Sequence, residues 1–151
     1  MEDLSTILLI DDNIDDYEAT ERSFRKNHII NPIKWCQSGQ EAKDYLFKEG
    51  RYHNDISSPP TLILLDLNMP GIDGRELLKI IKKNTSLKSI PVIILTTSKD
   101  ENDIDICYAS GASTYIQKPI DMNGLTDVVH KFKQYWFNVA ILPRHLNKST
   151  L

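Results

Sequence analysis

The chain has 151 residues, 18 of them basic and 21 acidic, a length that suits one domain and a formal charge of −3 that leaves no basic surplus for nucleic acid or anionic lipid. Its two cysteines, Cys36 and Cys107, lie far apart with no CxxC or Cys/His pattern, so neither a disulfide framework nor a structural zinc site has support. The opening MEDLSTILLIDD lacks a basic start, and no run approaches the roughly 18 apolar residues of a membrane span, so a soluble, cytoplasmic protein with no membrane partner is expected.

In chain order, Thr6-Ile7-Leu8-Leu9-Ile10 is a short apolar run that predicts a first strand, and Asp11 and Asp12 follow it directly. A helical pattern over 14–27 opens on Asp15 and Asp16, acids that suit a helix N-terminus. Pro32 to Cys36 is a weaker strand candidate carrying Trp35, and a helix is expected over 39–49. Ser57-Ser58-Pro59-Pro60 reads as the loop into the next strand, Leu62-Ile63-Leu64-Leu65, which Asp66 closes. In Met69-Pro70-Gly71 the proline restricts its predecessor and the glycine permits a tight bend. A helix over 74–84, the strand Val92-Ile93-Ile94-Leu95 closed by Thr96, and a helix over 100–110 come next. The weak strand Ser113 to Gln117 ends at Lys118, before Pro119. A last helix over 121–137 carries Leu125, Val128, Val129, Phe132 and Trp136 on one stripe.

The three strongest runs are continuous rather than alternating, the pattern of strands covered on both faces in a parallel sheet. Five βα units in series predict an open, doubly wound α/β domain, and no repeat, low-complexity tract or linker divides it. Ligands of such sheets bind outside the carboxyl ends of the strands, where strand order reverses.

Three carboxylates, Asp11, Asp12 and Asp66, emerge at that edge. Massed carboxylates raise the cost of ionising one another unless a cation sits among them, and a hard divalent ion such as Mg²⁺ suits oxygen donors. The structural alternative for Asp11 and Asp12 is capping of the following helix, a service that Asp15 and Asp16 already supply. Thr96 and Lys118 add a hydroxyl and an ammonium to the same edge. This combination suits phosphoryl transfer, in which placement and neutralisation by metal, ammonium and donors do most of the catalysis. A carboxylate such as Asp66 can act as nucleophile and form an acyl phosphate. Trp35 and Trp136 lie in the second strand and the last helix, positions that do not by themselves assure either of reporting on this site.

The stretches LLIDDN (8–13), LLDLNMPGIDG (64–74), IPVIILTTS (90–98) and GASTYIQKP (111–119) resemble, in order and spacing, the signature blocks of the bacterial response-regulator receiver family. The resemblance covers roughly 5–137 and implies a flavodoxin-like (βα)5 fold with a five-stranded parallel sheet. It implies Asp66 as phosphoacceptor, Asp12 as direct Mg²⁺ ligand, Asp11 acting on the metal largely through water, and the main-chain carbonyl of Asn68 as a further ligand. Thr96 would bind a phosphoryl oxygen after transfer, Lys118 would pair with the phosphate, and Tyr115 would move with Thr96 as the switch aromatic. The Lys118–Pro119 peptide is commonly cis in that family, although cis is the minority form of X-Pro bonds in general, so both forms are open here. DLNMPGIDGRELLKIIK, the TTS after the fourth strand and the ending KQYWFNVAILP are similar to single-domain receivers that serve phytochromes, which implies a phytochrome-like sensor histidine kinase as partner.

A phosphatase of the haloacid dehalogenase type also uses a strand-terminal Asp and Mg²⁺. It wants a second acid two residues after the nucleophile, and here that position is Asn68, which cannot serve as general acid or base. The residues after the last helix are too few for an independent output fold, so the signal is expected to leave by protein contact. Segment 138–151 is an apolar tail. One helix face can bury Phe132 and Trp136 but not Phe137 and Val139 as well, so the cluster either folds back over its own domain or supplies part of a self-complementary interface, and the resemblance to phytochrome-linked receivers, which can dimerise through the face including the last helix, implies a homodimer.

Overall fold

A computed structural model describes residues 5–143. It contains five strands, β1 (Ile7–Ile10), β2 (Ile33–Cys36), β3 (Leu62–Leu65), β4 (Val92–Thr96) and β5 (Thr114–Gln117). They alternate with α1 (Ile14–Lys26), α2 (Gly39–Phe47), α3 (Gly74–Lys83), α4 (Glu101–Ala109) and α5 (Met122–Trp136), and one 3-10 turn, Gly50–Tyr52, follows α2. All strand pairs are parallel and the order is β2-β1-β3-β4-β5, the doubly wound arrangement expected. Each predicted strand and helix is present, with ends shifted by no more than two residues.

The strands divide their side chains between two apolar layers, as the two-residue period of a strand requires. Ile7, Leu9, Leu62, Leu64 and Ile93 face Phe24 of α1 and Leu125, Val129 and Phe132 of α5. Leu8, Ile10, Ile63, Leu65, Val92 and Ile94 face Ala42 of α2, Leu77, Leu78 and Ile81 of α3, and Cys107 of α4. Helices on both faces explain why the central strands read as unbroken apolar runs. Both cysteines are buried and free.

Side-chain caps fix where the helices start. Asn13, Ser38, Asp73, Asp100 and Asp121 each accept a main-chain N–H from the first turn of the helix they precede. Asn13 is thus the cap of α1; Asp15 and Asp16 lie inside its first turn, where they favour the helix dipole without capping it. Left-handed residues end three of the helices: His28 at φ 60°, Lys48 at φ 57° and Gly111 at φ 107°. At Gly74 a Cβ would collide with the Asp66 carbonyl and lie 2.7 Å from Leu67 Cα, so only glycine lets α3 begin against the end of β3. That close approach fixes the loop carrying Asp66.

After α5 part of the tail folds back over its own domain, the first of the two arrangements open to it. Phe137 packs edge-to-face on Phe132 at 5.9 Å, and Phe137 and Leu142 both join the α1/α5 layer. Phe137 is the C-cap of α5, its N–H still bonded to the Lys133 carbonyl at 3.0 Å, so the last helical bond sets the side chain beside Phe132. Val139 and Ile141 remain exposed, at 69% and 97%. Residues 144–151 of the tail lie outside the described residues, within which no helix is long and apolar enough to cross a membrane.

Candidate functional site

β1 and β3 are neighbours in register, Ile10 opposite Leu65, and β1 is where the chain reverses its direction of travel across the sheet. The residues after these two strands therefore emerge into one crevice. Asp11, Asp12 and Asp66 each place a carboxylate oxygen within 4.8 Å of the others. Asp11 and Asp66 are buried, at 2% and 9% exposure, and Asp12 is exposed.

Lys118 reaches the crevice from the end of β5. Its Nζ donates to Asp11 Oδ2 at 2.7 Å and to Asp16 Oδ2 at 2.9 Å, and lies 3.9 Å from Asp66 Oδ2. The Lys118–Pro119 peptide is trans, since no cis bond occurs among the described residues. Trans is the lower-energy form of an X-Pro bond by about 0.5–1 kcal/mol, and the lysine reaches the acids without the cis form. Thr96, the last residue of β4, is fully buried with its hydroxyl facing the Asp66 carboxylate, as do the main-chain N–H groups of Leu67 and Asn68.

Burial is the main influence on these groups. It raises Asp66 above the ordinary carboxylate value despite the Lys118 charge and the facing donors. It likewise raises Asp11, outweighing the hydrogen bond and charge of Lys118. Burial acts to lower Lys118, but Asp11, Asp66 and Asp16 together outweigh it and hold the ammonium charged. The acid and the lysine of one ion pair thus shift in the same direction. The causes differ, burial for the acid and neighbouring carboxylates for the lysine: Asp11, Asp16 and Asp66 face one ammonium, and Asp12 stands beside Asp11 and Asp66. Oxygen donors in reach of one point and a surplus of negative charge fit a hard divalent cation.

Tyr115 stands on β5, half-buried, and its hydroxyl donates to the Ser98 carbonyl at 2.9 Å. Ser98 in turn donates its N–H to Thr96 Oγ1 at 3.4 Å and its hydroxyl to Asp103 Oδ2 at 2.8 Å. Arg75 grips Asp103 with two hydrogen bonds of 2.7 Å. Thr96 and Tyr115 are therefore joined through the β4–α4 loop, and α3 holds that loop through α4.

Sequence reasoning missed three features here. Asp16, read as a helix-terminal acid, binds Lys118 from the first turn of α1; the two residues are 102 apart in the chain, and no local pattern joins them. Trp35 donates its indole N–H to the Asp11 carbonyl at 2.8 Å and stacks on Tyr17 at 4.3 Å with 2° between the planes, so one tryptophan adjoins the site after all. The Arg75–Asp103 pair joins residues 28 apart and carried no sequence signal.

A parallel doubly wound sheet with acids at its switch point, a buried threonine and a buried lysine defines the receiver class of fold and site. The chain belongs to the response-regulator family: the family described as response regulator receiver domain matches residues 7–130, and it is not a recognised enzyme family. The chain is 36% identical over 137 residues to the response regulator Rcp1 of Synechocystis, an alignment covering 91% of this chain and 92% of that one. It is also 36% identical over 136 residues to a probable methanogenesis regulatory protein, FilR2, of Methanothrix harundinacea, covering 89% and 85%. Among solved structures, a phosphorylated cyanobacterial phytochrome response regulator, RcpA, superposes with a TM-score of 0.86 at 37% identity, covering 93% of this chain and 99% of that one. The Mn²⁺-bound form of Rcp1 superposes at 0.85 with 35% identity and the same coverage.

Proposed function

We propose that this chain takes a phosphoryl group from a sensor histidine kinase onto Asp66, assisted by Mg²⁺, and signals through the change of surface that follows. The observation that supports this most is the convergence of Asp11, Asp12, Asp66, Thr96 and Lys118 on one crevice. Asp66 Oδ is the nucleophile: it attacks phosphorus, the P–N bond to the donor histidine breaks, and the imidazole nitrogen keeps the electron pair and takes a proton. Asp11, Asp12, Asp66 and the Asn68 carbonyl would hold the metal, whose contribution is to neutralise charge on the phosphoryl oxygens. Lys118 supplies a second positive charge, and the Thr96 hydroxyl donates to a phosphoryl oxygen.

A phytochrome-like kinase is the partner favoured by the similarity to phytochrome and bacteriophytochrome response regulators. Residues 5–137 would form the receiver unit, working in the cytoplasm, and the chain would catalyse only its own phosphorylation and dephosphorylation. The haloacid dehalogenase-type alternative lacks support at Asn68, which has no acid to protonate a leaving group. Incubation with acetyl phosphate and Mg²⁺ tests the reading. Wild type should label, while Asp66→Asn or added EDTA should reduce labelling to background; equal labelling in the variant would reject it.

A further inference from the structure

Lys118 is the only ammonium in the crevice among the described residues, and its side chain is 9% exposed. Its two short contacts are to Asp11 and Asp16, with Asp66 a full ångström beyond them. Asp16 is unlike the other acids: it stands on the first turn of α1, lies outside the Asp11–Asp12–Asp66 group, and keeps 42% of its side chain in solvent. Its backbone is fixed, since its N–H is the one the Asn13 cap receives at 3.1 Å. It also lines the groove between α1 and the β5–α5 connection, with Lys118, Pro119 and Ile120.

We propose that Asp16 is a positioning residue that competes for Lys118, holding the ammonium towards α1 and so weakening its hold on a phosphoryl group carried by Asp66. An ammonium has three N–H donors, and Asp11 and Asp16 take two of them. Lys118 is 3.9 Å from Asp66, so its third N–H is the one left for a phosphoryl oxygen on Asp66, and the bond to Asp16 opposes any shift of the ammonium that would shorten that contact. The cost of leaving Asp16 is set against the gain at the phosphoryl group. Because Asp16 is half in water, that cost is moderate, and the competition tunes affinity without blocking the site. The inference rests on Asp66 being the acceptor.

The test measures beryllofluoride binding with Mg²⁺ present, alongside the NMR signal of the Lys118 ammonium nitrogen without beryllofluoride. Asp16→Asn should shift the ammonium signal and tighten beryllofluoride binding about two- to fivefold, the size of a partly exposed ion pair. Asp16→Glu, which keeps the charge, should return affinity towards wild type. An unshifted ammonium signal, or an affinity that is unchanged or lower in Asp16→Asn, would overturn the proposal. If wild type and Asp66→Asn bind beryllofluoride equally poorly, the acceptor reading fails. The ammonium signal then decides separately whether Asp16 holds the lysine.

Discussion

Trp35 brings an optical reporter to the acids, because its indole nitrogen is bonded to the Asp11 main chain. Titration with Mg²⁺ should change its fluorescence, and Trp35→Phe should remove the change. Asp12→Ala should weaken Mg²⁺ binding strongly and Asp11→Ala less, and equal, undiminished affinity in both would remove the metal from this account. Because burial raises Asp11 and Asp66, protons compete with the cation at a higher pH than they would for ordinary carboxylates, so Mg²⁺ affinity should weaken as the pH falls. Cys36 is simpler. Burial pushes its thiol from 9.0 up to about 12, so it should resist alkylation at mildly alkaline pH until the chain unfolds. Between these two values the unfolded chain has lost a proton that the folded chain keeps, so Cys36 makes stability fall as the pH rises. The sequence already showed Asp11, Asp12, Asp66, Thr96 and Lys118, because each ends a strand or lies within two residues of its end. It could not show Asp16 or Trp35 at work, since their roles depend on where side chains turn.

At the scale of elements, the β4–α4 loop is held from two sides, by Tyr115 on the Ser98 carbonyl and by Arg75 through Asp103. The doubly bonded Arg75–Asp103 pair is mostly shielded, with side chains 24% and 13% exposed. A double-mutant cycle with Arg75→Met and Asp103→Asn should give a coupling of about 1 kcal/mol in unfolding free energy. If Thr96 and Tyr115 form the switch, beryllofluoride should perturb amide signals across residues 96–118 in wild type and much less in Thr96→Ala. Identical spectra would make the protein a passive carrier. Elsewhere, His28 adopts φ 60° at the end of α1 and is exposed, so His28→Gly should stabilise the fold by about 1 kcal/mol in a denaturant titration. The strands and helices were legible because apolar runs and caps are local signals. Long-range ties such as Arg75–Asp103 are not local.

Over the whole molecule, the tail divides its apolar residues between its own core and solvent. Phe137 and Leu142 cover the α1/α5 layer, while Tyr135, Val139 and Ile141 stay exposed. The homodimer expected from the sequence therefore has a smaller apolar patch than the full cluster suggested. Phe137→Asp would now report on folding instead of assembly. Sedimentation at several concentrations with Val139→Asp and Ile141→Asp is the cleaner test: a wild type that associates and variants that do not would support the dimer, and a monomeric wild type with and without beryllofluoride would remove it. The doubly wound fold, by contrast, followed from the continuous runs in β1, β3 and β4, which only a sheet covered on both faces can bury. Its switch point gathers the acids on which the central claim depends. Borohydride reduction of protein treated with acetyl phosphate and Mg²⁺, followed by peptide mass spectrometry, tests that claim most directly, because reduction converts an aspartyl phosphate to homoserine. The account predicts homoserine at position 66 alone, and conversion at another aspartate, or at none, would contradict it.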